Sequence, residues 1–304
     1  MVTTSHISSI AALAAAFAAV ALALPTEGRA YGWPVKPFHI QHPVRGFFGD
    51  PRISDGGHNR GFHFGVDVSA RNETAVYATL TGRAYVENFE AVSVVGARGV
   101  SFSYWHVTPS IRSGHYVTAY RTIIGRVLKP NGHVHFAEAR NGVWVNPLRR
   151  GAMTPFADHT APRVKALQVE RDGRSVAKSA LSKTVDLIAD VIDTTPLEVP
   201  RPWSGLPVMP AVVRWRIVGV TRWQIAADFR QTIPGNELFS TYYGRWTRQN
   251  HAHRPGLYRL YLRHGWNSRA VPDGTYTVAV AAADIRGNET RYRTRVTVAN
   301  HLQR

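Results

Sequence analysis

The chain has 304 residues and a formal net charge of +17, from 37 Lys and Arg against 20 Asp and Glu. It contains no cysteine, so disulfides and thiolate-zinc sites are excluded, and any metal must be held by His, Asp or Glu. The length suits two domains, and the 25 glycines and 18 prolines favour short strands over long helices.

The first segment is an uncharged Ala, Val and Leu stretch over residues 10–24. Its length is typical of the core of a signal peptide and is too short to span a bilayer comfortably. We therefore predict a signal peptide over residues 1–30 and an extracellular or cell-envelope location; the alternative is an N-terminal core helix. No integral membrane segment is expected once the signal is removed.

Short strands separated by turn signals follow a segment rich in Pro, Gly and aromatic residues that begins at Tyr31. The sequence does not determine whether that segment blocks a binding cleft. The predicted strands are 63–68, 76–80, 83–88, 92–95, 100–106 and 133–139. This pattern predicts an antiparallel β domain over residues 31–157.

Five polar side chains are predicted to converge from three of these strands: His63, Asp67, His106, His133 and His135. Side chains alternate along a strand, so His63 and Asp67 share a face, with Gly65 leaving room between them. His133 and His135 share a face for the same reason. Alternation also predicts that His106 ends an inward-facing row.

Catalytic zinc takes three protein ligands and keeps a fourth position for water. Two His and one Asp can provide the three ligands. Neighbouring imidazoles can take and return protons at neutral pH. The residue types therefore point to hydrolysis by metal-activated water.

The motif order, His-x-x-x-Asp, then a separate His, then His-x-His, resembles the lysostaphin-type zinc metallopeptidases over roughly residues 43–150. The resemblance implies Zn²⁺ held by His63, Asp67 and His135, with His106 and His133 as the catalytic histidines. It also implies a zinc metalloendopeptidase that hydrolyses the peptide cross-links of bacterial peptidoglycan. The alternative is a non-catalytic protein that keeps the fold and binds cell wall or regulates another hydrolase.

Strand patterns restart after the linker-like segment 158–162, at 164–170, 185–191, 212–220, 258–262, 276–283 and 292–298. The segment 271–278 with 284–288 resembles the last strands of bacterial immunoglobulin-like accessory domains. The predicted fold class is therefore all-β: a compact antiparallel β-sheet metallopeptidase domain at 31–157 and a C-terminal immunoglobulin-like β-sandwich at 158–304. Five tryptophans here are favoured as core residues over sugar-stacking platforms, Trp215 most clearly.

The resemblance implies peptidoglycan as the partner. The positive charge, which is spread over both halves of the chain, favours anionic wall polymers as a further candidate. No nucleic acid partner is expected, because an exported protein meets cell-wall polymers or lipid headgroups before it meets nucleic acid. A second His-x-His pair, His251 and His253, has no accompanying His-x-x-x-Asp. Solvated loops are the favoured placement of His58, His115 and His159. Oligomeric state is left open.

Overall fold

The structure, a computed structural model, describes residues 30–301 and confirms the all-β fold class. The predicted signal peptide lies outside the described residues except for Ala30. Over the described range no helix has the length and apolar character needed to cross a membrane. Its helical turns are α1 (Phe239–Tyr242) and the 3-10 turns Asp55–Gly57, Asn236–Leu238 and Ser268–Ala270.

Short strands fill the first half of the chain. They are β1 (Pro51–Ser54), β2 (Asn59–Phe62), β3 (Val66–Ser69), β4 (Ala75–Tyr77), β5 (Gly82–Asn88), β6 (Ala91–Val95), β7 (Val100–Trp105), β8 (Val107–Pro109), β9 (Tyr116–Val117), β10 (Ile123–Val127), β11 (His133–Arg140) and β12 (Val143–Val145). A seven-stranded sheet has the order β12-β11-β7-β6-β5-β9, with β3 paired to β11. A second sheet, β4-β10-β8, and the β1-β2 hairpin complete this half.

The register of β11 divides the large sheet into two chemically different faces. Phe136 lies opposite Val66 on one side and Tyr104 on the other. All three are fully buried in the hydrophobic core of the first half, which we call the first core. His135, one residue earlier, lies opposite Asp67 and Trp105. Because side chains alternate, the apolar face anchors the sheet and the opposite face carries the polar groups.

The second half is built from longer strands. They are β13 (Arg163–Arg171), β14 (Arg174–Ser175), β15 (Thr184–Ile192), β16 (Val212–Ile217), β17 (Gln224–Asp228), β18 (Arg259–Asn267), β19 (Gly274–Ala283) and β20 (Glu289–Val298). Two four-stranded sheets, β14-β13-β15-β18 and β17-β16-β19-β20, pack on a common hydrophobic core. Trp215 is 2% exposed there, which confirms its predicted core position. The immunoglobulin-like character of this sandwich stays a prediction.

Contacts between the halves are extensive. Phe48 and Phe62 of the first half belong to the core of the sandwich, and Val208 belongs to the first core. The buried Asp50 accepts a hydrogen bond from Met209 N at 2.7 Å through Oδ1. The domain boundary after residue 157 stays a prediction, because the two cores exchange residues across it.

Candidate metal centre

Three predicted ligands come together on the polar face of the large sheet. His63 Nε2 lies 2.7 Å from His135 Nδ1 and 3.0 Å from Asp67 Oδ1, and His135 Nδ1 lies 3.2 Å from that oxygen. All three residues are buried, with exposures of 2% for His63, 8% for Asp67 and 6% for His135. Two nitrogens and one oxygen therefore converge on one point.

Backbone pairing fixes two of these groups, and a loop fixes the third. Asp67 and His135 are direct partners in the antiparallel pair of β3 and β11. The prediction of one strand over 63–68 is wrong at its start, because β3 begins at Val66. His63 is instead positioned by the loop at Asp50, whose carbonyl accepts from His63 N at 2.8 Å. Tertiary hydrogen bonds thus replace strand alternation here.

Gly65 is required for the close approach of the ligand-bearing segments. A Cβ at this position would lie 2.4 Å from Phe136 O and 2.8 Å from His135 Nε2. Both distances are too short for real contacts. The space that the sequence predicted at Gly65 is therefore filled by strand β11 and the His135 ring.

His106 reaches the site by a route that the sequence analysis did not predict. Phe102 and Tyr104 point into the hydrophobic core, on the face of the sheet opposite to His135. Continued alternation along the strand would bury His106 in the same core. His106 instead follows the end of β7 with a left-handed backbone, φ 61°. This turn ends the alternation. Its ring centroid lies 4.6 Å from that of His133.

Hydrogen bonds to carbonyls fix the tautomers of two imidazoles. His63 Nδ1 lies 2.8 Å from Phe47 O, and His133 Nδ1 lies 2.9 Å from Asn131 O. A carbonyl oxygen only accepts, so each Nδ1 carries the proton and each Nε2 presents a lone pair. For His63 that lone pair points to Asp67 and His135. His133 Nε2 lies 3.6 Å from Asp67 Oδ1.

The centre favours neutral imidazoles around an ionised carboxylate. Burial, together with the Arg52 guanidinium, lowers the pKa of His63 to about 3, and burial also lowers the pKa of His135. Burial opposes ionisation of Asp67, but the neighbouring imidazoles and Arg52 hold the pKa of its carboxyl well below the usual value. Neutral imidazole and carboxylate are the forms that bind a metal.

The donor set fits zinc. Ligands at about 2.0–2.1 Å from a tetrahedral zinc ion stand roughly 3.3 Å apart, close to the 2.7–3.2 Å spacing of the three donor atoms. The Nδ1–H of His63 is held by a carbonyl, the usual support for a metal-binding imidazole. His135 Nε2 is a buried atom without a hydrogen-bond partner among the described residues.

Three charged neighbours were missed by the sequence analysis. Arg52 Nη2 donates to Asp67 Oδ2 at 2.8 Å, and Arg45 Nη2 donates to His133 Nε2 at 3.3 Å. Glu90 Oε2 lies 3.2 Å from His106 Nδ1. Both arginines flank the Gly-rich, aromatic segment before the first motif, which is the signal that could have drawn attention to them.

The other histidines that were considered from the sequence lie outside the ligand group. His58, His115, His159, His251 and His253 are exposed. None belongs to a group of metal-ligand atoms in the part of the chain that the structure describes. The segment from Tyr31 packs into the first core, where Tyr31 Oη donates to Glu138 Oε2 at 2.6 Å.

Comparisons with known proteins give matches to solved structures at low identity and low TM-score. No protein-family model matches the chain, and no curated protein matches it. The catalytic domain of lysostaphin from Staphylococcus simulans is 22% identical with a TM-score of 0.28, covering 34% of this chain and 86% of that chain. The metalloprotease pseudoalterin is 18% identical with a TM-score of 0.30, covering 50% and 95%.

Two further solved structures extend the range of these likenesses. Helicobacter pylori Csd3 is 25% identical with a TM-score of 0.31, covering 40% of this chain and 34% of that chain. A chain of the SpoIIQ-SpoIIIAH pore-forming complex is 22% identical with a TM-score of 0.33, covering 40% and 89%. All these TM-scores are below 0.5, so a functional conclusion must rest on the side chains of the site.

Proposed function

We propose that the protein is an exported zinc-dependent endopeptidase that hydrolyses peptide cross-links of bacterial peptidoglycan. One observation carries the proposal: His63 Nε2, Asp67 Oδ1 and His135 Nδ1 meet within 3.2 Å of one another, with His133 and His106 alongside. Three ligands and two further imidazoles are what metal-assisted peptide hydrolysis needs.

In this proposal the five residues divide into two groups with different tasks. His63, Asp67 and His135 would hold zinc, which would acidify a water molecule and polarise the scissile carbonyl. His133 and His106 lie outside that triad with adjacent rings. They would take a proton from the water, hydrogen-bond the developing oxyanion and protonate the leaving amine.

The fixed tautomer of His133 suits the role of proton acceptor. Its Nδ1–H donates to Asn131 O, so the lone pair on Nε2 faces the centre. Burial lowers the pKa of His133 to about 3, and the Arg45 guanidinium acts in the same direction. The ring is therefore neutral at neutral pH, which leaves its Nε2 lone pair unprotonated.

A basic cleft beside the centre fits a peptide with free carboxylates. Arg45 contacts His133 and also lines a cleft of about 710 Å³ together with Arg71, Arg201 and Trp203. Arg45 stacks on the Trp203 ring, 4.1 Å from its centroid. The cleft thus joins positive charge to an aromatic surface next to the proposed proton acceptor, which suits anionic wall peptides.

The proposal is tested by incubating the purified, zinc-loaded protein with peptidoglycan and measuring newly released free amines. We expect release that stops on chelation and returns with zinc. His133→Ala should lower the rate by about 10²–10⁴-fold while leaving one zinc per chain. His115→Ala, which removes an exposed histidine from the same half, is the matched control and should act as wild type.

The non-catalytic alternative has a different signature in the same experiment. Zinc-loaded protein that sediments with intact walls and releases no amines would favour a wall-binding or hydrolase-regulating protein. If His63→Ala bound as much zinc as wild type, the proposed zinc centre would be wrong, and the proposed chemistry would be wrong with it.

A further inference from the structure

A second group of buried metal-ligand side chains lies between the two halves of the molecule. It consists of Asp158 in the linker, Asp193 after β15 and Asp284 after β19. One carboxylate oxygen from each lies within 4.8 Å of those of the other two. The residues are 3%, 1% and 1% exposed, so the carboxyl groups are almost completely removed from solvent.

Two of these carboxylates are only half satisfied by the protein. Asp158 Oδ1 accepts from Thr160 N at 3.0 Å, and Asp193 Oδ1 accepts from Thr194 N at 2.8 Å. The Oδ2 atoms of Asp158 and Asp193 are buried and have no hydrogen-bond partner among residues 30–301. A buried oxygen without a donor is costly, so each Oδ2 is available to a ligand.

The third carboxylate is held rigidly by its own loop. Asp284 Oδ1 accepts from the backbone N–H groups of Arg286, Gly287 and Asn288 at 2.8, 2.6 and 2.9 Å. Asn288 Nδ2 donates to Asp284 Oδ2 at 2.6 Å and to Asp158 O at 2.9 Å. The amide therefore joins the loop after β19 to the linker and fixes the spacing of the two aspartates.

No basic side chain forms a close ion pair with the group. Within the described part of the chain, none of the three carboxylates has a Lys, Arg or His nitrogen within 4.0 Å. The nearby Arg286 instead stacks on Phe156, 4.9 Å from the ring centroid, and its Nε donates to Phe156 O. Packing carboxylates together without a cation opposes folding.

We propose that Asp158, Asp193 and Asp284 form a calcium-binding site that ties the linker to the sandwich. The donors are all carboxylate oxygens, the ligand type that hard divalent cations prefer. Oxygens up to 4.8 Å apart can share one Ca²⁺, because calcium–oxygen distances of about 2.4 Å span that separation. Mg²⁺ would need shorter bonds of about 2.0–2.1 Å and a stricter octahedron.

The position of the three aspartates would let Ca²⁺ enter from solvent and would give the bound ion a structural role. Asp284 and Arg286 line an open cleft of about 860 Å³, so solvent reaches the edge of the site. Asp193 N and O pair with Val208, a residue of the first core. A bound Ca²⁺ would therefore hold three segments together at the junction of the two halves. This role is structural, whereas the role proposed for the His/Asp centre is catalytic.

The test is thermal unfolding of the full protein, freed of metal, reloaded with zinc, and then titrated with CaCl₂. We expect one Ca²⁺ per chain by calorimetric titration, and a Tm increase of roughly 5–10 °C at about a hundredfold excess over Kd. Asp193→Asn should lose most of this increase. In calcium-free buffer the same variant should melt above wild type, because it removes repulsion among the carboxylates.

Controls separate this site from the zinc centre and from a general charge effect. His63→Ala should keep the calcium response, and Asp172→Asn, the same change at an exposed turn, should behave as wild type. Asp158→Asn is the second variant if Asp193→Asn does not fold. Absence of a calcium shift in wild type, an unchanged shift in the variants, or an equal shift with MgCl₂ would each overturn the calcium assignment.

Discussion

The His/Asp centre and the three-aspartate group are both buried sets of metal-ligand side chains, but they differ in donor atoms and in charge. The first mixes two neutral imidazoles with one carboxylate, and Arg52 pairs with that carboxylate at 2.8 Å. The second has oxygen donors alone, and no ion pair to a basic side chain accompanies it in residues 30–301. The donor atoms therefore favour zinc at the first site and calcium at the second, as the two proposals assign them.

The difference in charge separates what each metal would do for the protein. At the His/Asp centre Arg52 balances the charge of Asp67 and the imidazole rings are neutral, so the metal-free protein has little charge repulsion there. Loss of zinc should therefore lower activity more than it lowers the free energy of unfolding. At the aspartate group the uncompensated carboxylates oppose folding, so a cation there should act on stability. The two sites thus predict opposite patterns of activity and Tm when their ligands are changed.

The largest expected effect is on activity, from His63→Ala. The change removes a zinc ligand, so wall hydrolysis should fall to the uncatalysed background and zinc content should fall well below one per chain. Tm in calcium should shift only slightly. Parallel measurement of amine release, bound zinc and Tm checks this, and a variant that lost its calcium response as well would show that the two sites are coupled.

The next effect separates metal holding from proton transfer inside the His/Asp centre. His106→Ala should lower the rate of amine release by about 10²–10⁴-fold, because an imidazole positioned for proton transfer is lost. Zinc content should remain at one per chain, since His106 lies outside the ligand triad. Loss of zinc from this variant would instead place His106 among the groups that hold the metal.

Arg52→Gln removes the positive charge that pairs with the His/Asp centre and has no counterpart at the aspartate group. Arg52 orients the Asp67 carboxylate, and removal of such a supporting partner typically weakens metal binding by about 10–100-fold. The Arg52 side chain is 37% exposed, so its repulsion of a metal ion is screened and orientation should dominate. Competition with a zinc indicator measures the change, and tighter binding in the variant would show that repulsion outweighs orientation.

Sequence motifs predicted that His63, Asp67 and His135 would converge, and the structure brings these three side chains together, while their roles stay a prediction. The sheet brings Asp67 opposite His135 as strand alternation requires. The route of His106 was not predictable in the same way, since nothing in the sequence marks its left-handed backbone. The strand pattern likewise placed His63 in β3, where long-range hydrogen bonds from the Asp50 loop decide its position.

The aspartate group illustrates what such patterns cannot reach. Asp158, Asp193 and Asp284 are separated by tens of residues and share no motif. Asp158 begins the linker, and Asp193 and Asp284 follow strands β15 and β19, so their meeting depends on how these three segments pack together. From the sequence, segment 284–288 is linked only to a resemblance, shared with 271–278, to the last strands of an immunoglobulin-like domain. A cluster assembled from three loops has no periodicity from which it could be predicted.

The smallest expected effect comes from Glu90→Gln, which tests whether a carboxylate assists the His/Asp centre without holding metal. Glu90 Oε2 accepts from His106 Nδ1 at 3.2 Å, which directs His106 Nε2 away from Glu90. The pair is about one-third exposed, with side-chain exposures of 32% and 28%, so its contribution is screened and the amide keeps one acceptor. We expect a fall of about 2–10-fold in kcat with KM and zinc content unchanged. A fall as large as that of His106→Ala would mean that the charge of Glu90, and not only the orientation that it provides, is needed for proton transfer.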